Sequence, residues 1–218
     1  MSDSSPPFDF ERSWQERLLH ATAGLTGAEL SEQVAVAGKS LSQESPVEER
    51  ISWTCSALQS LENDFGPETL EAILSGCACR YPTDGLNAVR EAFRKSGEID
   101  LALAMLQAIF EDFLRNDLQL NENLITEITA RGWGLAGERQ GETIIATKIP
   151  RSGNVRAFFQ ESDPEVKHRL YCHCPRVREG VGREPQLPAV YCYCGAGFYQ
   201  GIWQYILDPR YTFSCWKV

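Results

Sequence analysis

The stretch Tyr171-Cys172-His173-Cys174-Pro175-Arg176 is followed, after a short polar loop with Pro and Gly, by Tyr191-Cys192-Tyr193-Cys194-Gly195-Ala196-Gly197. Two copies of Tyr-Cys-x-Cys therefore flank one loop. In an extended segment, residues two apart project from the same face, so each copy can offer two sulfur atoms to one centre. If the two copies pair, the spacing predicts a site built from four thiols: Cys172, Cys174, Cys192 and Cys194.

A third Cys-x-Cys pair, Cys77 and Cys79, lies between Gly76 and Pro82, in a predicted break between helices. The three pairs hold six of the eight cysteines. We expect Cys77 and Cys79 either to approach the same centre or to form a second pair. Inert packing of buried thiols explains Cys55 and Cys215 well, but it explains three equally spaced pairs poorly.

Metal binding is the first interpretation of these thiols. Seventeen residues separate Cys174 from Cys192, and four thiolates across a loop of that length are typical of structural zinc sites. The usual zinc site has two to four residues inside each pair, whereas each pair here encloses one. Zinc is the predicted cofactor because a borderline-soft cation suits thiolate ligands.

The alternative interpretation is a thiol-dependent enzyme or redox protein that uses Cys192 or Cys194. Cys194 comes directly before Gly195, where the sequence predicts the start of the last helix, and a helix N-terminus lowers the pKa of a thiol. Basic residues and one histidine are close in sequence: Lys167, Arg169, His173, Arg176 and Arg178. A cysteine with such neighbours has the surroundings that a nucleophile requires.

Charge is unevenly distributed along the chain. The net charge is −9 overall, but residues 1–147 carry −13 and residues 148–210 carry +3. The basic part would meet an anionic ligand, for which Lys148, Arg176 and His173 are the candidate contacts. No Lys/Arg stripe with interleaved aromatic residues occurs, so nucleic acid is not an expected partner. The oligomeric state stays open.

Targeting and membrane signals are not apparent in the sequence. Residues 1–7 contain no apolar run typical of a leader. The longest apolar-rich run, Leu101–Phe110, is far shorter than the roughly 20 residues of a membrane helix. We therefore expect a cytoplasmic protein without membrane contact, whose thiols are kept reduced.

The predicted fold class is α+β. Residues 1–8 are expected to be a disordered tail, residues 9–132 a helical domain, and residues 133–218 a smaller Cys-rich α+β domain. The helical part shows apolar residues at helical spacing. The Cys-rich part begins with a β-hairpin, contains a last helix over 195–207, and ends in a predicted strand over 211–218.

A resemblance to a known family rests on further motifs. These are Arg131-Gly-Trp-Gly-Leu-Ala-Gly137, Ile144-Ile-Ala-Thr-Lys-Ile-Pro150, Asp163-Pro164, Cys77-Ala-Cys-Arg-Tyr-Pro82 and the two Tyr-Cys-x-Cys copies. Over residues 67–207 the chain resembles a family of uncharacterised prokaryotic cysteine-rich proteins, which is similar to small-ligand sensor domains of the vinyl-reductase type. The resemblance implies that the cysteine pairs form one site, but it implies no substrate.

Overall fold

The structure, a computed structural model, describes residues 9–27, 34 and 41–207. The predicted α+β class is confirmed, with helices along the described chain and one small antiparallel sheet. The predicted disordered tail and terminal strand lie outside the described residues. Within the described ranges, no helix is long and apolar enough to cross a membrane.

The chain divides into two compact units. The first contains the described residues up to Cys79 together with Cys174–Gly197, and the second contains Arg80–His173 and the described residues from Phe198 onward. Within the described residues the chain therefore passes between the units at three points, whereas the sequence predicted one boundary at 132/133. Residues on both sides of that predicted boundary contribute to one core, because Ile128 and Leu135 belong to the same buried cluster.

The first unit is built from α1 (Phe10–Thr26), α2 (Val47–Phe65), α3 (Pro67–Gly76), α9 (Pro175–Gly180), a 3₁₀ turn (Ala189–Cys192) and the first turns of α10 (Tyr193–Ile206). Helices α1 and α2 both pack on α3, and α9 packs on α2. The apolar side chains that recur at helical spacing meet in one core: Trp14, Leu18, Leu58, Leu61, Leu70, Ile73, Leu74 and Tyr191.

Two helix starts in this unit differ in their capping. Asp9 caps α1, because its side chain accepts a hydrogen bond from the Arg12 amide. The N-cap of α2 is Pro46, which provides no side-chain cap, although Ser45 comes directly before it. The Ser45 hydroxyl instead accepts from the Ser42 amide at 3.0 Å.

The second unit contains α4 (Asn87–Ser96), α5 (Ile99–Asp112), a π-helical turn (Phe113–Asp117), α6 (Glu122–Ala130), β1 (Glu138–Gln140), β2 (Thr143–Ile145), α7 (Val155–Gln160), α8 (Pro164–Tyr171) and the remainder of α10. Strands β1 and β2 form the predicted hairpin, with Arg139 paired to Ile144. Asp163 caps α8, because its side chain accepts from the Glu165 and Val166 amides, and Pro164 takes the first helical position.

Helix α10 approaches α3 closely at one glycine. A Cβ atom placed on Gly197 would lie 2.0 Å from the Ser75 carbonyl oxygen. Only a residue without a side chain permits this backbone approach. The contact fixes the first turns of α10, which carry Cys194, against the C-terminal end of α3, which leads into Cys77 and Cys79.

Candidate functional site

Four of the six paired cysteines lie together in the first unit: Cys77, Cys79, Cys174 and Cys194. The Cys194 thiol interacts electrostatically with those of Cys174 and Cys79, and also with that of Cys77. It donates to the Cys77 carbonyl oxygen at 3.4 Å. The pair that the sequence could not place, Cys77 and Cys79, therefore lies beside cysteines from the C-terminal part of the chain. We call these four residues the cysteine cluster.

The second Tyr-Cys-x-Cys copy does not present both thiols in the same way. Cys192 lies in the 3₁₀ turn and is exposed, whereas Cys194 lies in the first turn of α10 and is half-buried. The sequence interpretation assumed an extended segment, and the observed helical geometry corrects it. Helical residues two apart point in different directions, so the two thiols of this copy do not project from one face, and the Cys194 thiol is the one that interacts with Cys174 and Cys79.

The first Tyr-Cys-x-Cys copy is divided between the two units. Cys174 belongs to the first unit, and Cys172 and His173 belong to the second. In the second unit the His173 ring nitrogen Nε2 lies 2.8 Å from the Ile149 carbonyl oxygen. Lys148, also predicted to bind an anion, places its ammonium 4.5 Å from the centre of the Phe198 ring.

Cys77 differs from the other members of the cysteine cluster. Its thiol is fully buried and donates to the Ile73 carbonyl oxygen at 3.1 Å. Burial raises the pKa of this thiol far above its usual value, and the neighbouring Cys194 raises it further. Cys77 therefore behaves as a protonated thiol that terminates α3.

Each of the other three thiols has an N–H or O–H group beside it. The Tyr191 hydroxyl lies 3.1 Å from Cys174 Sγ, and Arg17 Nη2 lies 3.9 Å from Cys79 Sγ. The Trp14 indole N–H is buried and falls short of a full hydrogen bond to any acceptor, yet it is close enough to Cys194 to oppose the rise in that thiol's pKa. Such donors stabilise negative charge on sulfur.

Arg17 is fixed in position by two further contacts. Its Nε donates to the Cys77 carbonyl oxygen at 2.8 Å, and its Nη1 donates to the Ser13 hydroxyl at 2.6 Å. The guanidinium therefore faces Cys79 in a defined orientation.

The predicted activation of Cys194 by a helix N-terminus is not what the structure gives. Burial raises the pKa of Cys194 to about 11, and the nearby thiols of Cys174 and Cys79 add to the rise. The indole of Trp14 and the charge of Arg17 oppose this rise. Desolvation is the largest of these effects, because the thiol is removed from water, and the indole and the guanidinium do not offset it. In the absence of a cation, Cys194 is a protonated thiol at neutral pH.

A buried ion-pair network adjoins the cysteine cluster. Glu11 and Arg176 are fully buried; Arg176 Nε donates to Glu11 Oε1 at 3.2 Å, and its Nη2 donates to Glu11 Oε2. Arg50 Nη1 donates to Glu11 Oε1 at 3.1 Å, and Arg50 Nη2 donates to Glu179 at 2.5 Å. The Arg176 guanidinium also lies 4.2 Å above the Trp14 ring.

The Arg176 guanidinium makes its contacts within this buried network. The residue was predicted to contact an anionic ligand, and in the structure its guanidinium serves Glu11 and Tyr191 inside the protein. Its role toward an anionic ligand stays a prediction. The sequence analysis did not single out Glu11, Trp14 or Arg17, which lie on the helix α1.

Three comparisons were made with known proteins. A scan of protein-family models, a search of curated proteins and a search of solved structures found no match to this chain. The resemblance to cysteine-rich prokaryotic proteins therefore stays a prediction.

The cysteine cluster, as the structure describes it, contains free thiols and no preformed metal centre. Among the described residues, no group of three or more His, Cys, Asp or Glu has the geometry to hold a metal ion as the side chains stand. The described cysteines form no disulfide. Cys79, Cys174 and Cys194 thus present three free thiols, each beside a separate N–H or O–H group.

Proposed function

We propose that the protein binds a soft metal cation, with zinc the first candidate, through the thiolates of Cys79, Cys174 and Cys194. The observation that carries the proposal is a set of shared contacts: the Cys194 thiol lies 3.4 Å from the Cys77 carbonyl oxygen, and Arg17 donates to that same oxygen and contacts the Cys79 sulfur. Cys174 and Cys194 also pack against the same core. Three sulfur ligands and no carboxylate favour zinc or a monovalent soft ion over magnesium or calcium.

The ligand set differs from the one predicted from the sequence. Cys77 is left out because its buried thiol is held as a donor to Ile73. Cys172 and Cys192 are left out because the interactions of the Cys194 thiol are with Cys174, Cys79 and Cys77. Three protein ligands leave one tetrahedral position for water or a small ligand, as in zinc sites that act on a bound molecule.

The electrostatics of the site support a cation. Thiolates that lie close together repel one another, and this repulsion contributes to the raised pKa of Cys194. A divalent cation would offset this repulsion, since a metal displaces the thiol protons and pairs with the negative charge of the sulfurs. The same raised pKa weakens the alternative function, because a protonated thiol is a poor nucleophile at neutral pH.

The test is metal binding by a set of serine variants. Reduced, tag-free protein is titrated anaerobically with Co²⁺, whose thiolate charge-transfer absorption reports sulfur ligation, and zinc then competes for the site. Cys79→Ser, Cys174→Ser and Cys194→Ser are each expected to lower affinity by more than about 100-fold, beyond the effect of losing an outer-shell partner. Cys172→Ser and Cys192→Ser, the other members of two pairs, are matched controls and should bind as the wild type does.

Two outcomes would overturn the proposal. One is wild-type protein that shows no thiolate charge-transfer absorption at micromolar cobalt. The other is a loss of affinity in the Cys172→Ser or Cys192→Ser variant as large as that in Cys174→Ser or Cys194→Ser, which would restore the ligand set predicted from the sequence.

A further inference from the structure

A line of polar groups runs from the buried ion pair to one of the proposed ligands. Tyr191, which is 2% exposed, has its hydroxyl oxygen 3.1 Å from Cys174 Sγ and 3.5 Å from Arg176 Nη1. A guanidinium can only donate hydrogen bonds. The Tyr191 oxygen therefore accepts from Arg176. Either atom can donate between Tyr191 and a Cys174 thiol, but a thiolate can only accept, so opposite a thiolate the hydroxyl proton is directed to the sulfur.

Arg176 is held in a defined position beside the Tyr191 hydroxyl by its other contacts. Two of its nitrogens, Nε and Nη2, are bound to the carboxylate of Glu11, and its planar face lies on the Trp14 ring. The remaining terminal nitrogen, Nη1, points to Tyr191. The Tyr191 ring itself packs on Trp14, with ring centroids 5.4 Å apart. A buried charge thus orients a buried hydroxyl.

The orientation suits a charged sulfur better than a neutral one. A thiol is a weak acceptor, whereas a thiolate, free or bound to a metal, carries the negative charge that strengthens a hydrogen bond. Groups that donate to metal ligands from the second layer of a site orient those ligands and tune the metal.

We propose that Tyr191 is a positioning residue of the metal site, which donates its hydroxyl proton to the sulfur of metal-bound Cys174 and is itself oriented by Arg176. The inference rests on the proposed function, because it assigns Tyr191 to the same site. It adds that recognition of the cation extends beyond the three sulfurs into the network formed by Arg176 and Glu11.

The experiment compares cobalt binding by the wild type and Tyr191→Phe, which keeps the ring and removes the hydroxyl. Affinity is expected to fall about 10- to 100-fold, and the sulfur-to-cobalt charge-transfer band should move to lower energy because the sulfur loses a hydrogen bond. Tyr199→Phe is the control, since it removes a hydroxyl that donates to the Gly134 carbonyl oxygen at 2.8 Å in the other unit. That variant should leave affinity and band position unchanged.

A second replacement keeps the test decisive if Tyr191→Phe does not fold, as circular dichroism would show. Fluorotyrosine at position 191 retains the hydroxyl and makes it a stronger donor, so the band should move to higher energy. Unchanged affinity and band position in either folded variant would overturn the role of Tyr191 while leaving the metal site intact. Failure of the wild type to bind cobalt would instead overturn the proposed function, and the two failures are therefore distinct.

Discussion

Glu11 and Arg176 lie 165 positions apart in the sequence and form an ion pair in which neither side chain is exposed to solvent. The carboxylate also accepts from Arg50, so one acidic residue of α1 pairs with a cation of α2 and with one of α9. Burial of such charges carries a large desolvation cost, and each charge tolerates burial only while its partner is present.

Replacement of Glu11 by glutamine is expected to destabilise the protein strongly. The amide cannot neutralise Arg176 or Arg50, and breaking a buried pair costs about 3–5 kcal/mol of unfolding free energy. Urea denaturation followed by circular dichroism measures the change. Glu127→Gln is the matched control, because Glu127 pairs with Arg131 on an exposed helix face at 2.7 Å. Its effect should stay below about 1 kcal/mol. Equal effects of the two substitutions would contradict a structural role for the buried pair.

The close approach of α10 to α3 can be tested at Gly197. Alanine at this position would bring a methyl group against the Ser75 carbonyl oxygen, and the backbone would have to shift. We expect Gly197→Ala to lower the free energy of unfolding by about 1–3 kcal/mol, the usual cost of overpacking. Gly201→Ala in the same helix meets nothing within 4 Å, so it should gain up to about 1 kcal/mol from helix propensity. Thermal unfolding of both variants decides the matter, and a neutral Gly197→Ala would contradict the observed approach.

Alkylation should separate the cysteines by their surroundings. In the metal-free protein, the exposed Cys79 and Cys192 should react with iodoacetamide well before the buried Cys77. Peptide mass spectrometry of timed samples gives the rate at each site. If zinc binds as proposed, its addition slows the reaction at Cys79 and leaves that at Cys192 unchanged. Protection of Cys192 by zinc would argue for a ligand set different from the one proposed.

The sequence predicted more of the fold than of the site. Apolar spacing placed most helices, and Gly-containing turns placed the hairpin, because both signals are local. The two-unit division was not predictable in the same way, since it depends on which distant segments share a core. Ile128 and Leu135 flank the predicted boundary and nevertheless pack in one cluster.

The candidate site shows the same limit at the level of single residues. The Cys-x-Cys spacing indicated convergent thiols, but it could not say which thiol of each pair faces inward, because that depends on whether the pair is extended or helical. Cys192 lies in a 3₁₀ turn and Cys194 in the first turn of α10, and it is Cys194 whose thiol interacts with Cys174 and Cys79. Glu11 gave no signal at all, since an acidic residue in the first turn of a helix is ordinarily a surface residue.

The last prediction concerns the pH dependence of stability in the metal-free protein. The Cys194 thiol has a pKa of about 11 in the folded chain, because of burial, against a usual value near 9. Below pH 9 the Cys194 thiol is protonated in both the folded and the unfolded chain, so its contribution to the stability of the folded chain is fully present. Between pH 9 and 11 the unfolded chain releases the proton while the folded chain keeps it, so stability falls as pH rises. Cys194→Ser should therefore show a shallower fall in the urea midpoint across this window, measured with chelator and reductant present. Equal slopes for the variant and the wild type would mean that Cys194 is not shielded from water as the structure indicates.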